Sequence, residues 1–165
     1  MSDLAIVRAG PERLDDLEPL WTELSRHHAK VAPELTRIGP LRASTDSWRI
    51  RRELYEAWLA ERGSFALLAE HDGRPVGYAV VHLRRPEETW ATEQIGVLES
   101  LSVLAGERGR GIGSALVARV FEELRQAGIE HFEVAVMASN QDAVRFYERL
   151  GLTRFLVTYL GRVPA

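Results

Sequence analysis

Apolar residues recur along this chain with two different periods, and the changes from one to the other mark out its elements. Leu4–Ala9 is a short apolar run stopped by Gly10-Pro11, which predicts a strand. Leu14, Leu17, Trp21 and Leu24 then follow at steps of three and four, one face of an amphipathic helix. Between Arg26 and Ala43 the pattern breaks around Pro33, Gly39 and Pro40, predicting a long loop or a short broken helix. Helical spacing resumes over Ser44–Arg62, where Trp48, Tyr55, Trp58 and Leu59 supply bulk and Gly63 ends the run.

Phe65–Glu70 and Pro75–Leu83 read as strands joined through His71-Asp72-Gly73-Arg74, whose Asp-Gly pair is a strong hairpin signal. Arg84–Thr92 is a polar loop and Gln94–Leu104 alternates as a strand does. Gly111–Ala127 is helical, with Ile112, Leu116, Val120 and Leu124 four apart and Gly128 closing it. Glu130–Val136 predicts a strand, Gln141–Leu150 a short helix ended by Gly151, and Thr153–Leu160 a final strand. The predicted order is βααβββαβαβ. It describes an α/β chain with a mixed sheet, antiparallel at the hairpin and parallel where β-α-β units recur, flanked by about four helices.

Composition narrows the function classes. The 165 residues suit one domain over 1–165, and 45% hydrophobic with 27% charged residues is an ordinary globular balance. A net charge of −3 lacks the basic surface expected of a nucleic-acid binder. The absence of cysteine removes disulfides, thiolate zinc sites and a thiol nucleophile together. Met1-Ser2-Asp3 is not followed by the apolar run of a signal peptide, and no stretch approaches the length of a membrane span. A cytoplasmic protein without nucleic-acid or membrane partners is expected.

Chemistry concentrates in the second half. Arg108-Gly109-Arg110-Gly111-Ile112-Gly113-Ser114 lies between a predicted strand and a predicted helix. Gly109, Gly111 and Gly113 let a ligand approach the backbone, and the helix start offers free N–H donors and the positive end of its dipole. This is an anion site suited to a diphosphate, with Arg108 and Arg110 able to add charged hydrogen bonds. A glycine-rich turn with two solvated arginines has the same spacing. No Lys-Ser/Thr pair follows the glycines, which disfavours a P-loop. The loop comes late in the chain, with only one strand and a short helix of the required kind after it, which disfavours a dinucleotide fold.

By alternation Ile95, Val97, Glu99, Leu101 and Val103 share one strand face, and Glu99 is its one carboxylate. Among apolar neighbours it is poised as a general base, or else it reaches water or pairs with an arginine. Tyr147 lies on the short helix beside Ala143, Val144, Phe146 and Leu150, where a packing role competes with a chemical one. Asn140 precedes that helix as an N-cap or a ligand contact.

Taken together, Glu99-Ser100-Leu101-Ser102-Val103, Arg108 through Gly113, and Asn140 through Phe146-Tyr147 to Gly151 resemble the GNAT family of N-acetyltransferases. The family's Arg/Gln-x-x-Gly-x-Gly/Ala signature is met by Arg108, Gly111 and Gly113. The resemblance implies a wedge between two splayed parallel strands, opened by a bulge, that takes the pantetheine arm of acetyl-CoA as a cosubstrate. No metal is implied. The backbone N–H of Leu101 would stabilise the oxyanion, Val103 would contact pantetheine, Arg108 to Ser114 would hold the diphosphate, and Asn140 would reach pantetheine or adenosine. Glu99 would deprotonate an amine acceptor, which attacks the thioester directly in a ternary complex, and Tyr147 would protonate the departing thiolate. Glu93 is a second candidate base, since the base varies within the family. The stretch before the glycine loop is similar to that of polyamine acetyltransferases.

The acceptor side in this fold would be built from the first two helices, their connection and the loop before the glycine-loop strand, roughly 26–43 and 84–93, with His27, His28, Glu34, Trp48 on the second helix, Trp90 and Glu93. These name no substrate: small amines, polyamines, amino acids, aminoglycoside-like molecules and protein amines all remain open. A non-catalytic acyl-CoA sensor and a longer acyl donor also stay open. The apolar Thr153–Leu160, as a sheet edge, suggests a homodimer.

Overall fold

Asp72 and Gly73 turn the chain with φ of 49° and 75°, the left-handed pair that a two-residue hairpin needs. They join β2 (Phe65–His71) to β3 (Arg74–Arg84). The computed structural model describes residues 4–164. Met1–Asp3, on which the expectation about a signal peptide rests, and Ala165 lie outside the described residues. Around the hairpin β1 (Leu4–Ala9), β4 (Ile95–Val103) and β5 (Phe132–Val134) complete a five-stranded sheet of order β1-β2-β3-β4-β5. The first three pairings are antiparallel and β4–β5 is parallel, so the sheet is mixed as expected.

The helices divide between the two faces. On one lie α1 (Glu18–Val31) and α2 (Ser44–Ala60), whose cluster includes Leu17, Leu20, Tyr55, Leu68, Tyr78 and Val80. On the other lies α3 (Ile112–Gln126), packing Leu116, Val117 and Val120 against Leu67, Ala79, Val81 and Leu98. Neighbours such as Leu67 and Leu68 enter opposite cores because strand side chains alternate. Both faces are covered, so the middle of β3, Tyr78–Val81, is buried throughout and reads as a continuous apolar run. Each fully buried leucine of this kind contributes about 2 kcal/mol. The short α4 (Gln141–Arg149) adds Tyr147 to the α3-side core.

Several boundaries differ from the sequence reading. The first helix is a 3-10 helix over Pro11–Leu17, and regular α-helix starts only at Glu18, with Pro19 in its first turn where a missing N–H is harmless. α1 continues to Val31, and Pro33 opens a second 3-10 helix to Arg37. The expected strand Glu130–Val136 shrinks to Phe132–Val134. The expected strand Thr153–Leu160 does not form. Those residues make no sheet pairing, and Phe155, Leu156, Val157, Tyr159 and Leu160 are exposed. Alternating apolar residues become a strand only where a neighbouring backbone takes their N–H and C=O groups, and here none does. No helix among the described residues is long and apolar enough to cross a membrane.

Candidate functional site

The site is built around a fault in β4. Along the β3–β4 ladder Val80 faces Ser100 and Val81 faces Leu98, so Glu99 is the extra residue of a β-bulge. The bulge shifts the alternation by one. Leu98 before it and Leu101 and Val103 after it pack toward α3. Ser100 and Ser102 face the α1–α2 side instead, where Tyr55 donates to Ser100 Oγ at 2.6 Å and Ser102 donates to the Leu20 carbonyl at 3.1 Å. The single face expected for Ile95 through Val103 therefore does not exist. Glu99 is not on the side of Leu101 and Val103, because one inserted residue flips every side chain beyond it.

The bulge also coincides with the end of the neighbouring strand. β5 pairs with β4 only from Gly96 to Leu98. Residues 99–103 keep β3 as their one partner strand, leaving an open edge of about 16 Å with alternate backbone polar groups facing outward. Arg84 spans β4 to clamp Glu133 of β5 through two hydrogen bonds of 2.7 Å, which fixes the place where the strands part.

Glu99 has partners that the sequence reading missed. Its Oε1 accepts from His82 Nε2 at 2.8 Å, and its Oε2 lies 4.0 Å from Arg51. His82 stands on β3, and its ring lies flat on Trp58 of α2, 4.8 Å between centroids and 5° between planes. The arginine partner kept open for Glu99 is thus present, and the carboxylate is about a quarter exposed rather than enclosed by apolar groups. The usable signal was the even spacing of Tyr78, Val80 and His82 on β3, which puts His82 on the α2 face.

At the far end of the open edge lies the glycine loop. Gly109 and Gly111 have φ of 78° and 80°, and Gly111 is the N-cap of α3 without any side-chain cap. The first amides of α3 are consequently uncapped donors at the positive end of a helix dipole. Gly113 lies under Phe146, where an added Cβ would come within 3.7 Å of the ring, and Ser114 is exposed beside it. The arginines point elsewhere than the sequence suggested. Arg108 donates to the Val103 carbonyl at 3.0 Å and pairs with Glu23 at 3.3 Å, and Arg110 pairs with Glu107 at 3.0 Å.

Asn140 is buried and caps α4, its Oδ1 accepting from Ala143 N at 3.3 Å. Such a cap contributes about 1 kcal/mol. Tyr147 is buried to within 9% of its surface against the α3-side core, and this burial pushes its phenol well above its ordinary pKa. Glu99 and Tyr147 thus belong to opposite faces of the sheet, Glu99 to the α2 side and Tyr147 to the α3 side.

The acceptor-side residues scatter. Trp48 is a core residue set edge-on to Tyr55. Trp90 is exposed and touches Phe155. Glu93 pairs with Arg85 in solvent at 3.7 Å, away from the bulge. Glu34 accepts a hydrogen bond from Ser139, tying the second 3-10 helix to the loop before α4. His27 and His28 are half-buried on α1. His28 is pushed below the ordinary histidine pKa, first by burial and then by the charges of His27 and Arg51. Among the described residues no group of acidic and histidine side chains could hold a metal ion.

Known proteins share this architecture. A family model described as the acetyltransferase (GNAT) family matches residues 28–152. A mycothiol acetyltransferase of Thermobispora bispora is 34% identical over 119 residues, 70% of this chain and 39% of that protein. An aminoalkylphosphonate N-acetyltransferase of Salmonella typhimurium is 36% identical over 102 residues, 61% of this chain and 64% of that protein. The chain thus spans less than two thirds of the length of both of these relatives. An aminoglycoside N-acetyltransferase solved in complex with CoA superimposes with a TM-score of 0.71 at 19% identity, covering 99% of this chain and 97% of that one. The BH1408 protein of Bacillus halodurans gives 0.78 at 21% identity, covering 98% and 99%.

Proposed function

We propose that this chain, which belongs to the GNAT family of acetyltransferases, transfers an acetyl group from acetyl-CoA to a primary amine by direct attack in a ternary complex. The observation that carries the reading is the open edge of β4 between the bulge at Glu99 and the uncapped start of α3. An extended ligand can add to such an edge as a strand does, with its anionic end on the helix terminus. Acetyl-CoA has that form, a pantetheine arm followed by a diphosphate.

In this reading the loop amides from Gly109 to Ser114 hold the diphosphate. Arg108 and Arg110 join only by leaving Glu23 and Glu107. Val103 meets pantetheine through its N–H, since Arg108 already occupies its carbonyl. The Leu101 N–H stabilises the oxyanion as the thioester carbon becomes tetrahedral. Asn140, fixed by its capping bond, borders pantetheine or adenosine.

Glu99 accepts a proton from the ammonium at Oε2, directly or through water, while His82 holds Oε1 and so orients the carboxylate. The amine lone pair attacks the thioester carbon, the carbon–sulfur bond breaks, and Tyr147 donates its phenolic proton to the thiolate. A buried phenol is a weaker acid than a free one, so this last transfer needs a thiolate made equally basic by the same apolar surroundings.

Relatives named for mycothiol, aminoalkylphosphonates and L-2,4-diaminobutyric acid are consistent with a small amine acceptor. One acetyltransferase domain over 1–165 and a cytoplasmic location, where the donor is drawn from, belong to the same reading. So does a homodimer. The apolar, unpaired 153–160 of one copy has a matching need in the free edge of β5 on another.

Calorimetry and thermal shift with CoA and acetyl-CoA test the central claim, comparing wild type with Gly111→Trp. Saturable binding that raises the melting temperature and is lost in the variant is expected. No binding by folded wild type overturns it. Thiol release with amines then separates an enzyme from a sensor.

A further inference from the structure

Arg51 of α2 stands beside Glu99 with its charge met mainly by aromatic rings. Its guanidinium lies 4.5 Å from the centre of the Trp21 ring, 5.7 Å from Tyr55 and 5.9 Å from Trp58. Three aromatic rings thus fix its position. Contacts with ring faces attract the charge but use up none of the five N–H donors. Among the described residues no acceptor lies within hydrogen-bond distance of those donors. The nearest anionic oxygen is Glu99 Oε2, at 4.0 Å, and Glu99's other oxygen is committed to His82. The Trp21 indole N–H beside it is also buried without an acceptor. The niche therefore holds more donors than acceptors, and the guanidinium is only about a quarter exposed, so water satisfies it incompletely.

From this we infer that Arg51 receives an oxyanion carried by the acceptor itself, so that the acceptor is a small zwitterionic amine with a carboxylate or phosphonate group. The inference rests on the reading of Glu99 as the group that meets the amine.

The geometry supports that class over the others. A planar guanidinium held by ring faces presents a fork that matches two oxygens of a carboxylate or phosphonate. An amine at Glu99 Oε2 and an oxyanion on Arg51, each at hydrogen-bond distance, lie no more than about 10 Å apart. The two charged groups must then be joined by a short chain. A diamine or polyamine fits worse, because its second positive charge meets the guanidinium of Arg51. A zwitterion brings no net charge, and it satisfies the arginine with one end while it offers the ammonium to Glu99 with the other.

The test uses matched amines: β-alanine for the carboxylate, 2-aminoethylphosphonate for the phosphonate, 3-amino-1-propanol as the neutral analogue and 1,3-diaminopropane as the dication. Binding is followed by tryptophan fluorescence in the presence of CoA, and turnover by thiol release. Wild type is compared with Arg51→Met and Arg51→Lys, each checked for folding by thermal melting. Wild type is expected to favour at least one anionic amine over the neutral analogue by ten-fold or more. Arg51→Met should abolish that preference through KM and binding, and Arg51→Lys should keep part of it. The two anionic probes distinguish a carboxylate from a phosphonate acceptor. Equal or better binding of the neutral or dicationic amine by wild type overturns the inference. So does a preference that survives in Arg51→Met, or no binding of either anionic amine. Arginine-dependent binding without thiol release would leave the inference standing and remove the proposed acetyl transfer instead.

Discussion

His82 Nε2 on β3 lies 2.8 Å from Glu99 Oε1, the bulged residue of β4. The contact joins adjacent strands at the one place where their register slips, and Trp58 holds the imidazole flat from above. An ionised Glu99 accepts from Nε2–H, which fixes both the tautomer and the direction of the free oxygen.

Glu99→Gln is accordingly expected to lower kcat by about 10²-fold or more, the range for losing a general base, with the affinity for acetyl-CoA kept. His82→Leu should lower kcat by about ten-fold through misplacement of the carboxylate. His82→Gln, which can still donate an N–H to Glu99, should recover much of that loss. Steady-state kinetics with both substrates varied checks the split between kcat and KM. Equal activity of the Leu and Gln variants would deny His82 a positioning role.

Tyr147 gives a prediction with a definite pH sign. Burial raises its folded pKa above the unfolded value of about 10, so the neutral phenol favours the fold. That contribution is complete below pH 10 and is lost as pH rises above it. Melting temperatures measured from pH 8 to 11 should fall less steeply in Tyr147→Phe than in wild type. The same variant should lower kcat with CoA binding retained, which calorimetry and thiol release check together.

A buried hydroxyl network supports the bulge from the α1–α2 side. Tyr55 OH donates to Ser100 Oγ at 2.6 Å and lies 3.0 Å from Tyr78 OH, with all three residues buried. Tyr55→Phe leaves two buried hydroxyls short of a partner and should cost about 1–3 kcal/mol in urea unfolding. The unfolding slope should stay the same, since little surface area changes.

The tail supplies a test of assembly. Removing residues 153–165 takes away Phe155, Leu156, Val157, Tyr159 and Leu160, all exposed. If those side chains pair one copy with another, light scattering should report a dimer for the full chain and a monomer for the truncated one. A full chain that is monomeric at high concentration would rule out this use of the segment.

The sequence by itself determined the local elements and the two signatures that are backbone properties. The Asp72-Gly73 turn, the left-handed glycines at 109 and 111, the Asn140 cap and the amphipathic α3 all appear where the pattern puts them. Their causes lie within a few residues of chain, in φ angles, capping and periodicity. What only the tertiary structure decided depends on a partner from elsewhere. Thr153–Leu160 is apolar enough to read as a strand, yet it makes no sheet pairing and forms none. Glu99 seemed to share a face with Leu101 and Val103 until the pairing with β3 placed a bulge beneath it. Spacing alone puts His82 on the α2 face and Trp58 on a helix, but nothing local ties either of them, or Arg51, to Glu99. They are 17, 41 and 48 positions before Glu99 in the chain, and it takes the β3–β4 ladder and the packing of α2 to bring them to one carboxylate.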